Sequence, residues 1–268
     1  MLKRVLLIFL LLIILFSLKI EAGLIVKSKL VHQFEVKAGR KKLGKIVLKN
    51  NSKDEIKVRL YKRDYSFNAK GKNFYRKPGM NLRSNAEWIS LQKRSFRISP
   101  FTKEKVQYVI DIPDKNLKGT YWCMLMVEEY GSQIKNDNEV ILRKFKHKVR
   151  YGIQIVTNLG EKTDVQIKYK NPEISKINEK EYAFDIDIIN KGIFELIMKP
   201  QIIVVNDNTG EIINIYKNKQ IRLYPDTSIP IKEKIYLVAN ISYKIIVIGG
   251  NNRRGYHGKE YSIGEVND

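Results

Sequence analysis

The segment 119–129 constrains the fold of this chain more than any other part of the sequence. Seven consecutive apolar residues, from Tyr121 to Val127, follow a Gly-Thr pair and precede two glutamates. A run this short, rich in aromatic and large aliphatic side chains and bounded by turn-forming or charged residues, is typical of a buried central strand. The segment therefore predicts the middle of a β-sheet, which needs further strands on either side.

The residues before this segment supply those further strands. Segments 56–60 and 106–112 alternate apolar with mainly polar residues, the period-two signature of a strand with one buried face. Turn-forming clusters such as 50–52 and 77–79 separate the strand candidates. Before residue 151 no run has the spacing of a long amphipathic helix. We therefore predict an all-β first half with about seven strands.

The second half repeats the order of the first. Residues 231–237 form a strand candidate, a short polar loop follows, and Tyr243 leads an apolar run up to Gly249. Tyr121 leads its own run in the same way, about one domain length earlier. A tyrosine two residues before a cysteine, as Tyr121 stands to Cys123, is typical of the tyrosine corner of immunoglobulin-like sandwiches. We predict two immunoglobulin-like β-sandwich domains in tandem, at 23–151 and 161–268, joined by a linker at 152–160.

The N-terminus has the features of an export signal. Lys3 and Arg4 precede an apolar stretch of about 14 residues, and Ala22 supplies a small residue after it. A membrane-spanning helix needs about 20 apolar residues. We predict that residues 1–22 are a signal peptide and that the protein is exported to the periplasm or cell envelope. An uncleaved N-terminal membrane anchor is the alternative.

Net charge and cysteine content narrow the classes of function. The chain has 50 Lys and Arg against 28 Asp and Glu, a formal net charge of +22. The lysines are scattered along the strands, which favours a compositional origin, and the export signal argues against nucleic acid as a partner. An anionic envelope polymer remains a candidate partner. Cys123 is the single cysteine, so no intrachain disulfide can form, and its position in an apolar strand predicts a small core side chain.

Patterns that would indicate catalysis or metal binding are missing from the sequence. The three histidines have no carboxylate or cysteine at metal-ligand spacing, and neither a phosphate-binding loop nor a nucleophile elbow occurs. Cys123 and His147 are a poor nucleophile–base pair because a thiolate is costly in an apolar strand. Asp185 and Asp187 share a strand face, where solvated carboxylates are commoner than a metal site. We predict a non-enzymatic protein with no catalytic residue, no metal and no cofactor.

Residues 140–156 form the longest strand candidate of the chain. Between 143 and 151, basic residues alternate with apolar ones. Lysines on a strand either protect an exposed edge from unwanted pairing or make a basic docking edge. The sequence leaves both interpretations open.

Several segments together resemble the periplasmic pilus-assembly chaperones, which are exported proteins of two immunoglobulin-like domains. These segments cover most of residues 30–156, and the second half matches in strand pattern. The resemblance implies a chaperone-like protein that binds a secreted or surface protein by β-strand addition at the 140–150 edge. The segments are Phe34-Glu35-Val36, 44–52, Glu87-Trp88-Ile89, Pro100-Phe101 before 106–110, and the strand ending Lys148-Val149-Arg150-Tyr151.

The resemblance also implies which residues contact the partner. In that family a basic residue in the cleft between the domains anchors the terminal carboxylate of the bound subunit. By position this role falls on Arg150, with Lys148 or Lys29 as its neighbour. The first strand offers Lys27 and Lys29 but no arginine, so the paired cleft residues of the family are half matched. The partner-binding residues implied in this way are Val140, Leu142, Phe145, Lys148, Arg150 and Lys29.

A second interpretation of the sequence comes from the net charge. A structural or ligand-binding envelope protein would use its basic surface to contact an anionic cell-wall polymer or lipid headgroups. Contacts between exposed charges weaken as salt is added, whereas strand addition is nearly insensitive to salt, so the two interpretations predict different salt dependence.

Overall fold

The structure is a computed structural model of the 268-residue chain, and it describes residues 23–130, 149–162, 165–251 and 255–265. The predicted signal peptide at 1–22 lies outside these ranges, as does the segment 131–148. Within them the chain forms 19 strands and one short 3₁₀ helix, Ala86–Trp88. The prediction of an all-β fold is confirmed. No helix in the described ranges is long and apolar enough to cross a membrane.

The strands, in chain order, are β1 (Leu24–Val26), β2 (Val31–Val36), β3 (Lys41–Asn50), β4 (Ile56–Phe67), β5 (Asn73–Arg76), β6 (Ile89–Leu91), β7 (Ser95–Ile98), β8 (Lys103–Asp111), β9 (Gly119–Tyr130), β10 (Arg150–Leu159), β11 (Ile167–Lys176), β12 (Glu181–Asn190), β13 (Leu196–Met198), β14 (Gln201–Asn206), β15 (Ile212–Lys217), β16 (Ile221–Leu223), β17 (Ser228–Tyr236), β18 (Ser242–Asn251) and β19 (Gly255–Glu265).

The first sandwich consists of two sheets. One has the strand order β1-β3-β8-β6, and the other has the order β2-β10-β9-β4-β5, with β7 also paired to β4. Lettered along the chain, β1, β3, β8 and β6 are strands A, B, E and D, and β10, β9 and β4 are G, F and C. This is the strand order of the immunoglobulin fold, so the structure confirms the predicted class.

Strand β9, the segment that constrains the fold, lies between β4 and β10. Cys123, Leu125 and Val127 face the core between the two sheets. Trp122 and Met124 lie on the opposite face of the strand and are buried as well. The predicted central strand is therefore confirmed, and its outer face is covered too.

The second sandwich repeats this arrangement. Its sheets have the orders β11-β12-β17 and β15-β14-β18-β19, with β13 and β16 as a separate pair. The Tyr243 hydroxyl accepts a hydrogen bond from the Val238 amide at 2.9 Å, so the tyrosine corner predicted at Tyr121 is found at Tyr243 instead. Tyr121 instead packs on Trp88 with ring centroids 4.9 Å apart, and within the described chain its hydroxyl makes no such bond.

The linker predicted at 152–160 is not a linker in the structure, because residues 150–159 form strand β10. This strand pairs with β9 along its whole length. Gly152, the first residue of that predicted linker, is needed for packing, because a Cβ there would lie 2.7 Å from the Met124 sulfur. The chain leaves the strand at Gly160, whose φ is +81°. We propose that the boundary between the two sandwiches lies after Leu159.

Candidate partner-binding site

One half of strand β10 has an open edge. Residues 150–153 pair with β9 alone, whereas 154–159 pair with β9 and also, in parallel, with β2. The Gln154 amide donates to the Leu30 carbonyl at 2.8 Å, so the backbone groups of even-numbered residues in β10 point away from β9. The N–H and C=O groups of Arg150 and Gly152 therefore point to a side where, in the described part of the chain, no strand lies.

A groove of about 870 Å³ lies beside this open edge, on the outer face of the same sheet. Because Val58 and Leu60 fill the core, the alternate residues Arg59, Tyr61 and Arg63 of β4 face outward. The groove is strongly basic, and Glu128 is the one acidic residue that lines it in the described chain. The cationic side chains that line it are Arg59, Arg63, Lys77 and Arg150, with Tyr61 and Tyr75 between them. Lys62 also borders the groove, but its ammonium donates to the Ile89 carbonyl at 2.7 Å on the other side of the sheet.

Glu128 holds two of the cations in place. Its carboxylate accepts hydrogen bonds from Arg150 at 2.8 Å and from Arg59 at 2.9 Å. These bonds, with that from Arg150 the stronger, lower the pKa of Glu128 to about 2 and raise the pKa of each guanidinium. The Glu128 side chain is 7% exposed, while those of Arg59 and Arg150 are 54% and 55% exposed. Both guanidinium groups are thus oriented by the protein and still accessible from the groove.

The two sandwiches meet near the other end of β10, around the buried carboxylate of Glu195. Its Oε1 accepts hydrogen bonds from Gln33 at 2.6 Å, Asn158 at 3.0 Å and Lys162 at 3.2 Å. Arg222 donates to Oε2. Every contact on this carboxylate comes from a donor, and two of the donors are cations, so its negative charge is compensated.

Backbone contacts join the sandwiches at the same place. The Thr120 amide donates to the Ile193 carbonyl at 2.8 Å, and the Glu195 amide donates to the Thr120 hydroxyl at 2.7 Å. A Cβ on Gly119 would lie 2.4 Å from the Ile193 oxygen, and its φ is +105°. Only glycine permits this close approach without strain.

Aromatic side chains extend the junction onto the outer face of the first sandwich. The rings of Trp122 and Tyr224 stack in parallel, with centroids 4.6 Å apart and planes at 10°. The Trp122 indole donates to the Tyr65 carbonyl, and the Tyr224 hydroxyl donates to Gln154. Burial raises the pKa of Tyr224. A mainly apolar pocket of about 430 Å³, also lined by Phe67, opens beside this pair.

The six predicted partner-binding residues divide into two groups. Arg150 lines the basic groove, and Lys29 is exposed ahead of β2, where it lines a separate depression. The remaining four lie outside the described residues: Val140, Leu142, Phe145 and Lys148.

The expected location of Arg150 in the cleft between the domains is corrected by the structure. Arg150 begins β10, whereas the second sandwich contacts this strand from Gln154 to Asn158, about 14–27 Å further along at 3.4 Å per residue. Its guanidinium is also bonded to Glu128. The cationic side chains at the junction are Lys162 and Arg222, and both are paired with Glu195.

Sequence reasoning missed the junction residues Glu195, Arg222 and Tyr224. One signal pointed to them. The run from 121 to 127 is apolar on both of its faces, so an outer cover was needed for Trp122 as well as a core for Cys123. The sequence did not say that this cover comes from the second sandwich.

Three of the residues considered for catalysis or metal binding have other roles in the structure, and the fourth, His147, lies outside the described residues. Cys123 is fully buried, and burial raises the pKa of its thiol, as expected of a core side chain. Asp185 pairs with Lys232 at 2.6 Å, and Asp187 accepts a hydrogen bond from Asn171 at 2.8 Å. Among the residues that the structure describes, no three His, Cys, Asp or Glu side chains gather where they could hold a metal ion.

Comparison with known proteins finds likeness in structure alone. No family model and no curated protein matches the sequence. The chain is similar to the class 5 fimbriae chaperone CfaA, with 13% identity and a TM-score of 0.48, over 89% of this chain and 98% of that one. It is also similar to a chain of the CsuC–CsuE chaperone–tip adhesion subunit complex of Acinetobacter baumannii, with 11% identity and a TM-score of 0.43. That match covers 78% of this chain and 90% of the other. It is similar as well to the E. coli chaperone DraB, with 9% identity and a TM-score of 0.39, over 89% of this chain and 96% of that one.

The resemblance to pilus-assembly chaperones that the sequence predicted is thus found among solved structures as well. At identities of 9–13% and TM-scores below 0.5 this likeness carries no argument about function, so what the chain binds has to be argued from its own residues.

Proposed function

We propose that this protein is a non-enzymatic, exported, chaperone-like protein that binds a secreted or surface protein subunit by β-strand addition. The observation that carries the proposal is the open edge of β10 at residues 150–153. A strand added to a sheet edge gains main-chain hydrogen bonds along its length, and side-chain contacts then give specificity. Arg150 begins this edge, and Lys29 precedes the strand that closes the rest of it.

In our proposal the docking edge extends into the residues that precede β10. The predicted contact residues just before the open edge in the sequence continue it; they are Val140, Leu142, Phe145 and Lys148. The basic groove is adjacent, so a subunit held along β10 would also pass the oriented guanidinium groups of Arg59 and Arg150.

The test separates the backbone of the edge from its side chains. Arg150→Ala removes the guanidinium, whereas Arg150→Pro also removes the N–H that points to the open side and leaves the pairing with β9 in place. The purified protein would be used to capture its partner from the envelope fraction of the cells that make it. We expect a weaker partner band with Arg150→Ala, and none with Arg150→Pro or with deletion of residues 140–142.

Controls show whether loss of partner capture comes from the change at the β10 edge or from a less specific effect on charge or folding. Arg97→Ala removes a similarly exposed arginine of β7, which pairs with Glu55 at 2.7 Å, and it should leave capture unchanged. Far-ultraviolet circular dichroism and thermal unfolding should show that every variant is folded. If the same partner is retained by Arg150→Pro and by the deletion, strand addition at this edge is wrong.

The basic groove favours a second candidate function, contact with an anionic cell-wall polymer or lipid headgroups. Exposed charges are screened over about 10 Å at 0.1 M salt, so such binding should fall steeply as salt rises. The assay is sedimentation with anionic lipid vesicles and with wall fragments over a salt series. Capture through main-chain hydrogen bonds should change little over the same series, and no binding at low salt would exclude this second function.

A further inference from the structure

The basic groove beside β10 has a row of charged side chains along one of its sides. Arg59, Glu128 and Arg150 are opposite one another on the neighbouring strands β4, β9 and β10. Each arginine donates to Glu128 from one terminal nitrogen, and each uses a different oxygen of the carboxylate. A guanidinium carries several N–H groups in a rigid fork, so both arginines keep donors beyond the bond to Glu128. This row therefore presents two oriented groups that can donate hydrogen bonds to an anion.

The floor of the groove is the next row of residues along the same three strands. Tyr61, Met126 and Gly152 are opposite one another there, and all three line the groove. Gly152 has no side chain, which leaves the floor open on the side of β10. The volume of about 870 Å³ is in the range of small-molecule sites. The groove thus has room for an anionic group together with the molecule that carries it.

Further cations lie on the opposite side of this floor. Arg63 is two residues beyond Tyr61 on β4, and Lys77 directly follows β5. The guanidinium carbons of Arg59 and Arg63 each lie 5.4 Å from the centre of the Tyr61 ring, so they are within about 11 Å of one another. Neither Arg63 nor Lys77 forms an ion pair with a described carboxylate. Four cationic groups therefore face the groove against one carboxylate in the described chain.

We propose that this groove binds the phosphate group of a phosphate monoester, between the row of Arg59 and Arg150 on one side and Arg63 on the other. The inference rests on the second candidate function, because it names the anionic group that the same groove takes. A phosphate monoester has about two negative charges at neutral pH and three terminal oxygens, so it accepts donors from both sides of the groove at once. Guanidinium groups match phosphate with paired, parallel hydrogen bonds.

The first measurement compares small anions by isothermal titration calorimetry with the purified protein. Methyl phosphate is the monoester. Its matched controls are dimethyl phosphate, which has a single charge, and succinate, which has its two charges on separate carboxylates. We expect methyl phosphate to bind about tenfold more tightly than either control near neutral pH.

The pH dependence of binding tests the charge of the ligand. The second pKa of a phosphate monoester is about 6. Lowering the pH from about 7.5 to about 5 should therefore weaken methyl phosphate binding by about tenfold, because the dianion becomes the minor form. Dimethyl phosphate keeps its single charge over this range, so it controls for any change in the protein.

Substitutions that keep the positive charge show whether guanidinium geometry matters. Arg59→Lys and Arg63→Lys each retain a cation but lose the planar fork, so each should weaken methyl phosphate binding about fivefold. A groove that acts through net charge alone would bind equally well after both changes. Arg97→Lys makes the same exchange at an exposed arginine of β7, away from the groove, and should leave the affinity unchanged. Thermal unfolding should show that all three variants are folded.

Two results would overturn the proposal. One is methyl phosphate that binds no more tightly than dimethyl phosphate or succinate, and the other is an affinity that Arg59→Lys and Arg63→Lys leave unchanged. Neither result excludes the second candidate function, which stands if wall fragments or anionic vesicles bind at low salt. Conversely, methyl phosphate binding with the expected pattern, but no binding of fragments or vesicles, supports the site and excludes that function.

Vesicles and wall fragments also identify the source of the phosphate. Phosphatidic acid carries a phosphate monoester, whereas phosphatidylglycerol carries a diester. Stronger sedimentation with phosphatidic acid vesicles would support the site and identify a lipid headgroup as the source. Release of bound wall fragments by methyl phosphate, but not by dimethyl phosphate, would support it and identify the polymer.

Discussion

Replacing Glu195 by glutamine tests how firmly the two sandwiches are joined. The carboxylate is 1% exposed in its side chain and accepts hydrogen bonds from Gln33, Asn158, Lys162 and Arg222. Glutamine has nearly the same shape, so the substitution removes the negative charge and turns one acceptor into a donor while leaving the packing intact.

The cost follows from these contacts. The hydrogen bonds from Lys162 and Arg222 no longer join opposite charges, which lowers the free energy of unfolding by about 1 kcal/mol for each bond. Because donors approach both carboxylate oxygens, the new NH₂ group faces a donor wherever it points, which costs about 1–3 kcal/mol more. The Lys162 and Arg222 side chains are 18% and 25% exposed, so water relieves part of this cost. We expect Glu195→Gln to lower the free energy of unfolding by about 3 kcal/mol.

Trp122 provides the assay, because it stacks on Tyr224 across the junction. In a Trp88→Phe background it is the one remaining tryptophan, and its fluorescence during urea unfolding reports on the separation of the sandwiches. The matched control is Glu35→Gln, which changes the exposed rim of the same network: Glu35 is 63% exposed and contacts Lys162 at 3.0 Å. Its cost should be below about 1 kcal/mol. If Glu195→Gln costs no more than Glu35→Gln, the buried carboxylate does not hold the junction.

Three further predictions concern single positions. Because the folded pKa of Glu128, about 2, lies below its ordinary value, the stability it contributes is present above about pH 4.5 and is lost as the pH falls toward 2. Urea unfolding should therefore show the difference between the protein and Glu128→Gln shrinking over that range, and a constant difference would contradict it. Gly119→Ala should lower the free energy of unfolding in urea by about 2–4 kcal/mol, because the strain of a positive φ and a clash with a backbone oxygen add up. Its control is Gly71→Ala, where φ is +71° and no atom lies nearby, and it should lower the same free energy by about 1 kcal/mol. Tyr243→Phe should cost about 1–2 kcal/mol in thermal unfolding because the Val238 amide loses its partner; an unchanged midpoint would show that the corner does not stabilise the sandwich.

The sequence predicted the strands because each carries its own local signal. Alternation in 56–60 and 106–112 identified β4 and β8, and the apolar run after Thr120 identified β9 as central. The turn cluster at 50–52 was identified in the same way from its composition, and β3 ends in it, at Asn50. The linker predicted at 152–160 falls within strand β10 as far as Leu159, because its glycine and asparagine residues do not act as turn residues there. In the structure Gly152 makes room for Met124, and Asn158 is buried and donates to Glu195.

By itself, then, the sequence determined an all-β chain of two similar sandwiches with a core side chain at Cys123. These features depend on periodicity and on turn residues that are neighbours along the chain. The tertiary structure alone decided which edge stays open, at β10, and which charges meet, at Glu128 and Glu195. Arg150 and Glu128 are paired because two strands lie side by side, and Glu195 meets Asn158 because one sandwich packs on the other. Contacts between residues so far apart in sequence leave no local pattern from which they could be predicted.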